Sequence, residues 1–237
     1  SELGALRAVK VIHRKTFADA KPYNREFAGI QHYEPVSREH EGLVDVLQVG
    51  HDESAGFFYY VMELADDAGE PPPSAAPSPR DEDSAAAAPV RDCLSAGYAP
   101  RTLSQAIRAR GRLPVHEVID LGGTLARALE FLHARRLLHR DVKPQNIIFV
   151  GGRPKLADVG LVADLDGPQT LVGTDGYIPP EGPGTVQADI YSLGKVLYEA
   201  ATGKDRQEFP DLGMQLSESP EPQLLELNEV LLKACES

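Results

Sequence analysis

Residues 139–149 read HRDVKPQNIIF, and residues 156–161 read LADVGL. This is the feature that most limits what the chain can fold into. It sets Asp141, Lys143, Asn146 and Asp158 in a fixed order, with a short hydrophobic hairpin carrying the chain between the last two. A lone HRD is common by chance, but this order and spacing are not. The set contains an acid able to accept a hydroxyl proton, a cation, and two oxygen donors suited to a hard divalent ion, which is the inventory that phosphoryl transfer requires.

The chain has 237 residues, enough for one large domain or two lobes around a cleft, and 42% of them are hydrophobic, enough for a real core. With 24 basic and 36 acidic residues the net charge is −12. That charge argues against nonspecific nucleic-acid binding and against an anionic membrane surface, and it leaves room for a basic substrate. No apolar run is long enough to span a bilayer, and the first ten residues have no signal-peptide core. Cys93 and Cys235 show no metal-site spacing, so a reducing compartment is the simpler reading. The histidines show no metal spacing either, and His139 reads as a packed core residue.

Residues 5–12 read as a buried strand containing one lysine, and residues 19–36 as a helix with Phe27 and Ile30 on one face. Two further strands, 43–49 and 57–64, flank a turn at 51–56. From Asp66 to Gly97 the composition turns to Pro, Ser, Ala and acid, too poor in apolar bulk to order itself, and the stretch reads as a disordered, dispensable insertion. Helical periodicity resumes at 102–107. It then runs over 115–136 with Val118, Leu121, Leu125, Leu129 and Leu132 in register. Strands at 147–150 and 155–157 enclose a Gly151-Gly152 turn; helices follow at 189–202, stopped by Gly203, and at 222–235.

These residues together resemble the catalytic core of eukaryotic-type serine/threonine protein kinases, a family also found in bacteria. The resemblance implies an α+β, bilobal fold: a small β-rich lobe over 1–65, the insertion or linker at 66–97, and a larger helical lobe over 98–237. It implies ATP and Mg²⁺ as cofactors and a protein substrate. It implies no nucleic acid, no membrane contact by this segment, and a cytoplasmic setting within a larger protein; the oligomeric state stays open.

On the resemblance, Asp141 is the catalytic base and Lys143 offsets charge on the moving phosphoryl group. The bland alternatives are a turn aspartate and a surface lysine. Lys143 also separates the chain from small-molecule kinases with a His-Gly-Asp-x-His signature. Asn146 and Asp158 are the implied Mg²⁺ ligands. Lys10, in an apolar strand, is implied to grip phosphate and to pair with Glu26, with Glu34 as a competitor, because an unpaired buried lysine is costly. Met62 to Ala65 resemble the gatekeeper and hinge, with the Glu63 carbonyl and Ala65 amide reading adenine between Ala8 and Ile148. Thr174 is implied to bond Asp141 and Lys143, and Asp189 to tie down the catalytic-loop backbone. Arg140 is implied to clamp a phosphate on the activation segment, with Thr170 as the reachable phosphorylation site and Lys155 as a second cation.

The sequence departs from the family pattern in four places. Val159 stands where the family has phenylalanine, so the lock between active and inactive poses is expected to be softer. Pro179-Pro180-Glu181 replaces the usual Ala-Pro-Glu ending, and the short segment looks most like bacterial members. Glu181 lacks the arginine that the family supplies later, for which Arg206 is the substitute considered. No glycine-rich phosphate loop precedes Lys10, so the chain reads as trimmed at both ends and its activity as weak or absent. A pseudokinase-like scaffold that binds partners without turnover is the competing reading.

Overall fold

A computed structural model describes residues 6–69, 97–159, 163–164, 173–212 and 222–236. The chain is α+β and forms two lobes. The smaller lobe holds strands β1 (Ala8–His13), β2 (Val46–Asp52) and β3 (Phe57–Met62), with helix α1 (Ala20–Ser37) between the first two. The sheet is antiparallel in the order β1-β3-β2, and its register sets Lys10 opposite Tyr60 and Ala8 opposite Met62.

Strand β1 corrects the expectation of a buried strand. Val9 and Val11 are 58% and 47% exposed, while Ile12 is buried. Successive side chains of a strand point to opposite faces of the sheet, and Val9 and Val11 fall on the uncovered one. Helix α1 starts at Asp19, whose carboxylate accepts from the Lys21 amide at 3.2 Å. It packs on the sheet through Phe27 and Tyr23, both in ring contact with Phe58. Ile30 and Tyr33 are fully buried, and Tyr33 donates its hydroxyl to the Val44 carbonyl at 3.1 Å.

The larger lobe is built on α2 (Leu103–Arg110), α3 (Val115–Ala134), α4 (Val186–Thr202) and α5 (Pro222–Ala234). The five apolar positions read on α3 from 118 to 132 are all buried. Thr102 and Gln105 form a reciprocal capping box at the start of α2. Helix α4 begins three residues earlier than periodicity suggests, because Thr185 caps it by accepting from Ala188 at 3.0 Å. Gly203 ends it in a left-handed conformation (φ 72°), where a β-carbon would lie 2.3 Å from the Gly111 carbonyl oxygen.

Between α3 and α4 the short strand β4 (Leu137–Leu138) precedes the hairpin β5 (Ile147–Val150) and β6 (Arg153–Leu156); β4 pairs with β7 (Ala163–Asp164). The hairpin turn is held by a residue 85 positions earlier in the sequence. The Asp66 carboxylate accepts from the amides of Gly151 and Gly152, both at 2.8 Å. Asp66 and Asp67 therefore belong to the folded body, with Asp67 bridged to Pro100. Of the insertion read at 66–97, residues 70–96 lie outside the described residues, as do Gly160 and Thr170. Among the described residues no helix is long and apolar enough to cross a membrane.

Candidate active site

The HRD segment is held by its backbone. Asp189, on the first turn of α4 and 1% exposed, accepts from the amides of His139 at 2.9 Å and Arg140 at 2.8 Å, and contacts His133 Nε2 at 2.9 Å. These bonds stabilise Arg140 at φ 67°, a conformation that costs a non-glycine residue energy. His139 is fully buried and its Nε2 contacts the Ala157 carbonyl at 3.1 Å, so it is a packing residue.

Past this anchor, four side chains converge. Lys143 Nζ donates to Asp141 Oδ2 at 2.7 Å and to Thr174 Oγ1 at 2.9 Å. Thr174 Oγ1 donates to Asp141 Oδ1 at 2.8 Å, and Asn146 Nδ2 donates to Asp141 Oδ2 at 2.8 Å. Asp141 is 7% exposed, so its charge is offset by hydrogen bonds rather than by water. Thr174 reaches the loop from 33 residues away.

The hairpin explains how Asp158 comes to lie near Asn146. Ile147 pairs with Leu156, and the Ala157 amide donates to the Asn146 carbonyl at 2.8 Å. Asp158 itself is left-handed at φ 56°. Burial works to raise its carboxyl pKa, but the Lys10 ammonium and its hydrogen bond outweigh this, and the group is held below the usual range. Lys10 Nζ donates to Asp158 Oδ1 at 2.5 Å.

That contact corrects the expected Lys10–Glu26 ion pair. Glu26 lies within electrostatic reach of Lys10, and its own pKa is raised by burial and by Asp158 against the pull of Lys10. One ammonium faces two carboxylates here and bonds the one on the strand-end turn. Glu34, the competitor on α1, pairs with Arg38 at 2.6 Å.

A cleft of about 390 Å³ runs between the lobes. Ala8, Lys10, Met62, Glu63, Ala65, Ile148, Asn146 and Asp158 line it; Glu26 does not. Sequence reading missed Tyr98, Pro100 and Thr102 on its wall. The available signal was Tyr98, the first aromatic residue after the long stretch without one; its hydroxyl donates to the Ala65 carbonyl at 3.1 Å.

Asn146 and Asp158 both line this cleft, and an amide with a carboxylate is a donor set suited to Mg²⁺ together with phosphate oxygens. Asn146 spends its amide nitrogen on Asp141, which leaves its oxygen as the group available to a cation. Among the described residues no cluster of three or more His, Cys, Asp or Glu side chains offers a separate metal site.

Two expected partners lie elsewhere. Lys155, expected as a second cation beside Thr170, bonds Glu63 at 2.6 Å and Asp45 at 3.4 Å, tying the hairpin to the other lobe. Arg206 does not meet Glu181, which is exposed; it pairs with Glu199 at 3.5 Å and Asp205 at 3.3 Å. Arg140 is 4% exposed, and Val159 is fully buried in the core.

Comparison with known proteins points to one family. The sequence profile of the protein kinase domain matches residues 88–215. A probable serine/threonine-protein kinase of Clostridium perfringens is 39% identical over 113 residues, covering 44% of this chain and 16% of that protein. Serine/threonine-protein kinase 36 of Mus musculus is 40% identical over 116 residues, covering 45% of this chain and 9% of the relative. Serine/threonine-protein kinase PknA of Mycobacterium tuberculosis is 38% identical over 112 residues, 43% of this chain and 26% of the relative. In each case the matched segment spans well under half of the relative.

Proposed function

This chain belongs to the protein kinase domain family, and on that premise we propose that it transfers the γ-phosphoryl group of ATP to serine or threonine hydroxyls of protein substrates. The observation that carries the reading is the closed set formed by Asp141, Lys143 and Thr174, with bonds of 2.7, 2.8 and 2.9 Å. On this reading Asp141 orients the acceptor hydroxyl and takes its proton, and Lys143 offsets charge developing beside it. Thr174 keeps both in one geometry. Substrate hydroxyl would displace or share these bonds, since a base must lie within hydrogen-bond reach of the proton it accepts.

In the proposed cleft Ala8 and Ile148 cover the faces of the adenine, the Met62 to Ala65 stretch borders its edge, and Lys10 lies at the phosphate end. Asn146 and Asp158 would hold Mg²⁺, which supplies charge neutralisation to the phosphates. Lys10 and Asp158 are already in contact, so ATP binding would share the lysine between carboxylate and phosphate. The domain limits proposed are 1–65 for the small lobe, 66–97 for the connection and 98–237 for the larger lobe, in a cytoplasmic setting where ATP is available.

The test is transfer of labelled phosphate from ATP to a generic protein substrate such as casein, with Mg²⁺ and with chelator. Weak transfer that needs Mg²⁺ is expected. Asp141→Asn should abolish it, and its thermal unfolding, followed alongside, separates loss of the proton acceptor from loss of the fold, since the amide also gives up part of the bonding to Lys143, Thr174 and Asn146. Nucleotide binding without any transfer by the unaltered chain would favour the scaffold reading. Transfer by Asp141→Asn within a few-fold of the unaltered chain would remove Asp141 from its role.

A further inference from the structure

We propose that Arg206 is a positioning residue. It pins the turn at residues 175–177 to α4 and so holds Thr174 against Asp141 and Lys143. The functional consequence rests on the reading of Asp141 given above; the mechanical role does not.

Arg206 opens a single 3₁₀ turn just after α4. Its guanidinium Nε donates to the Asp175 carbonyl at 3.1 Å, and the group stacks 4.6 Å from the centre of the Tyr177 ring. Its Nη1 reaches Glu199 Oε1 at 3.5 Å, and its backbone amide donates to the same oxygen at 3.2 Å. The other Glu199 oxygen accepts the Tyr177 hydroxyl at 2.5 Å. Glu199 thus joins the arginine and the tyrosine, with both of its oxygens in use. The side chains of Arg206 and Glu199 are only 23% and 13% exposed, so these contacts are partly shielded from solvent.

The segment being held is short. The Tyr177 amide donates to the Thr174 carbonyl at 3.1 Å, and the Tyr177 carbonyl accepts from Ser192 of α4 at 2.7 Å. Gly176 lies under the guanidinium at φ 82°, and a β-carbon there would be 2.5 Å from Arg206 Nε. The turn therefore leaves room for this arginine to cross it. Arg206 and Tyr177 also border a polar cleft shared with Pro144 and Gln145, next to Lys143. A short path of direct contacts runs from α4 through Arg206 and Tyr177 to Thr174 and Asp141.

Hydrogen exchange and kinetics on the same variants test the proposal. In Arg206→Ala the amides within 173–178 should exchange at least about tenfold faster, while those of His139 and Arg140, held by Asp189, keep their rates. The turnover number should fall by about tenfold or more with the KM for ATP unchanged, since misplacing a positioned group costs rate rather than cleft binding. Arg206→Lys should fall between, because an ammonium still reaches Glu199 but cannot make the guanidinium's separate bonds; if the alanine variant does not fold, the lysine variant carries the comparison. Unchanged exchange in 173–178, equal acceleration in both segments, or a raised KM at constant turnover would overturn the role. If the unaltered chain transfers no phosphate, the phosphoryl-transfer reading fails, and exchange alone decides the place of Arg206.

Discussion

Asp189 shows how one buried carboxylate can shape a site it never enters. Its two oxygens satisfy the amides of His139 and Arg140, and those bonds offset the cost of holding Arg140 at φ 67°. Removing an acceptor from a buried donor costs roughly 1–3 kcal/mol for each group left unpaired. Asp189→Ala strands two backbone donors in residues that are 0% and 4% exposed, so a loss of about 3 kcal/mol in urea unfolding is expected. Asp189→Asn retains one acceptor oxygen and should lose clearly less. If alanine costs no more than asparagine, the loop is held by other means.

At the scale of elements, the packing of the larger lobe depends on close approaches that helix propensity alone would disfavour. Gly194 lies in the middle of α4, where glycine costs a helix about 1 kcal/mol relative to alanine. A β-carbon at this position would sit 2.8 Å from Cys235 Sγ and 3.4 Å from the Ala234 β-carbon, so α5 can lie this near only because the side chain is missing. Gly123 on α3 has only the flexible end of Arg127 nearby, at 3.5 Å. The two glycines should therefore respond oppositely. Gly123→Ala should raise the unfolding free energy by up to about 1 kcal/mol, and Gly194→Val should lower it by about 1–3 kcal/mol through overpacking. Paired thermal melts decide this, and a stabilised Gly194→Val would mean that α5 is free to shift.

Across the whole molecule, the two lobes are joined by a bridge of charges beside the cleft. Lys155 on β6 is 11% exposed at its side chain and bonds Glu63 and Asp45 of the smaller lobe. Burial raises the Glu63 pKa, and Asp45 adds to this, while Lys155 acts against them. Breaking such a buried pair leaves a charge without compensation and costs about 3–5 kcal/mol. Lys155→Ala should lose stability of that order near pH 8, somewhat less if water reaches Glu63. The pH dependence has a definite sign. The folded-state pKa of Glu63 is raised, so the folded state favours its protonated form, and without Lys155 it does so more strongly. The gap between variant and unaltered chain should therefore narrow as the pH falls from 8 toward 5. A constant gap in urea titrations across that range would show that Glu63 is not the group left stranded.

The helices and the chemical inventory of the site were legible in the sequence because both are local. The period of α3, the Gly203 stop and the spacing of Asp141, Lys143 and Asn146 depend on backbone geometry over a few residues. Partner choice was not legible, because it depends on distances that only packing sets. Lys10 bonds Asp158 across 148 positions, although Glu26 is a chemically equal candidate on the next helix. Lys155 turns to Glu63, and Arg206 to Glu199 rather than Glu181. Ångström-scale differences in reach separate such alternatives, and composition carries no record of them. The exposure of Val9 and Val11 was hidden for the same reason: a run of apolar residues marks a strand, but only the assembled fold decides which face of its sheet is covered.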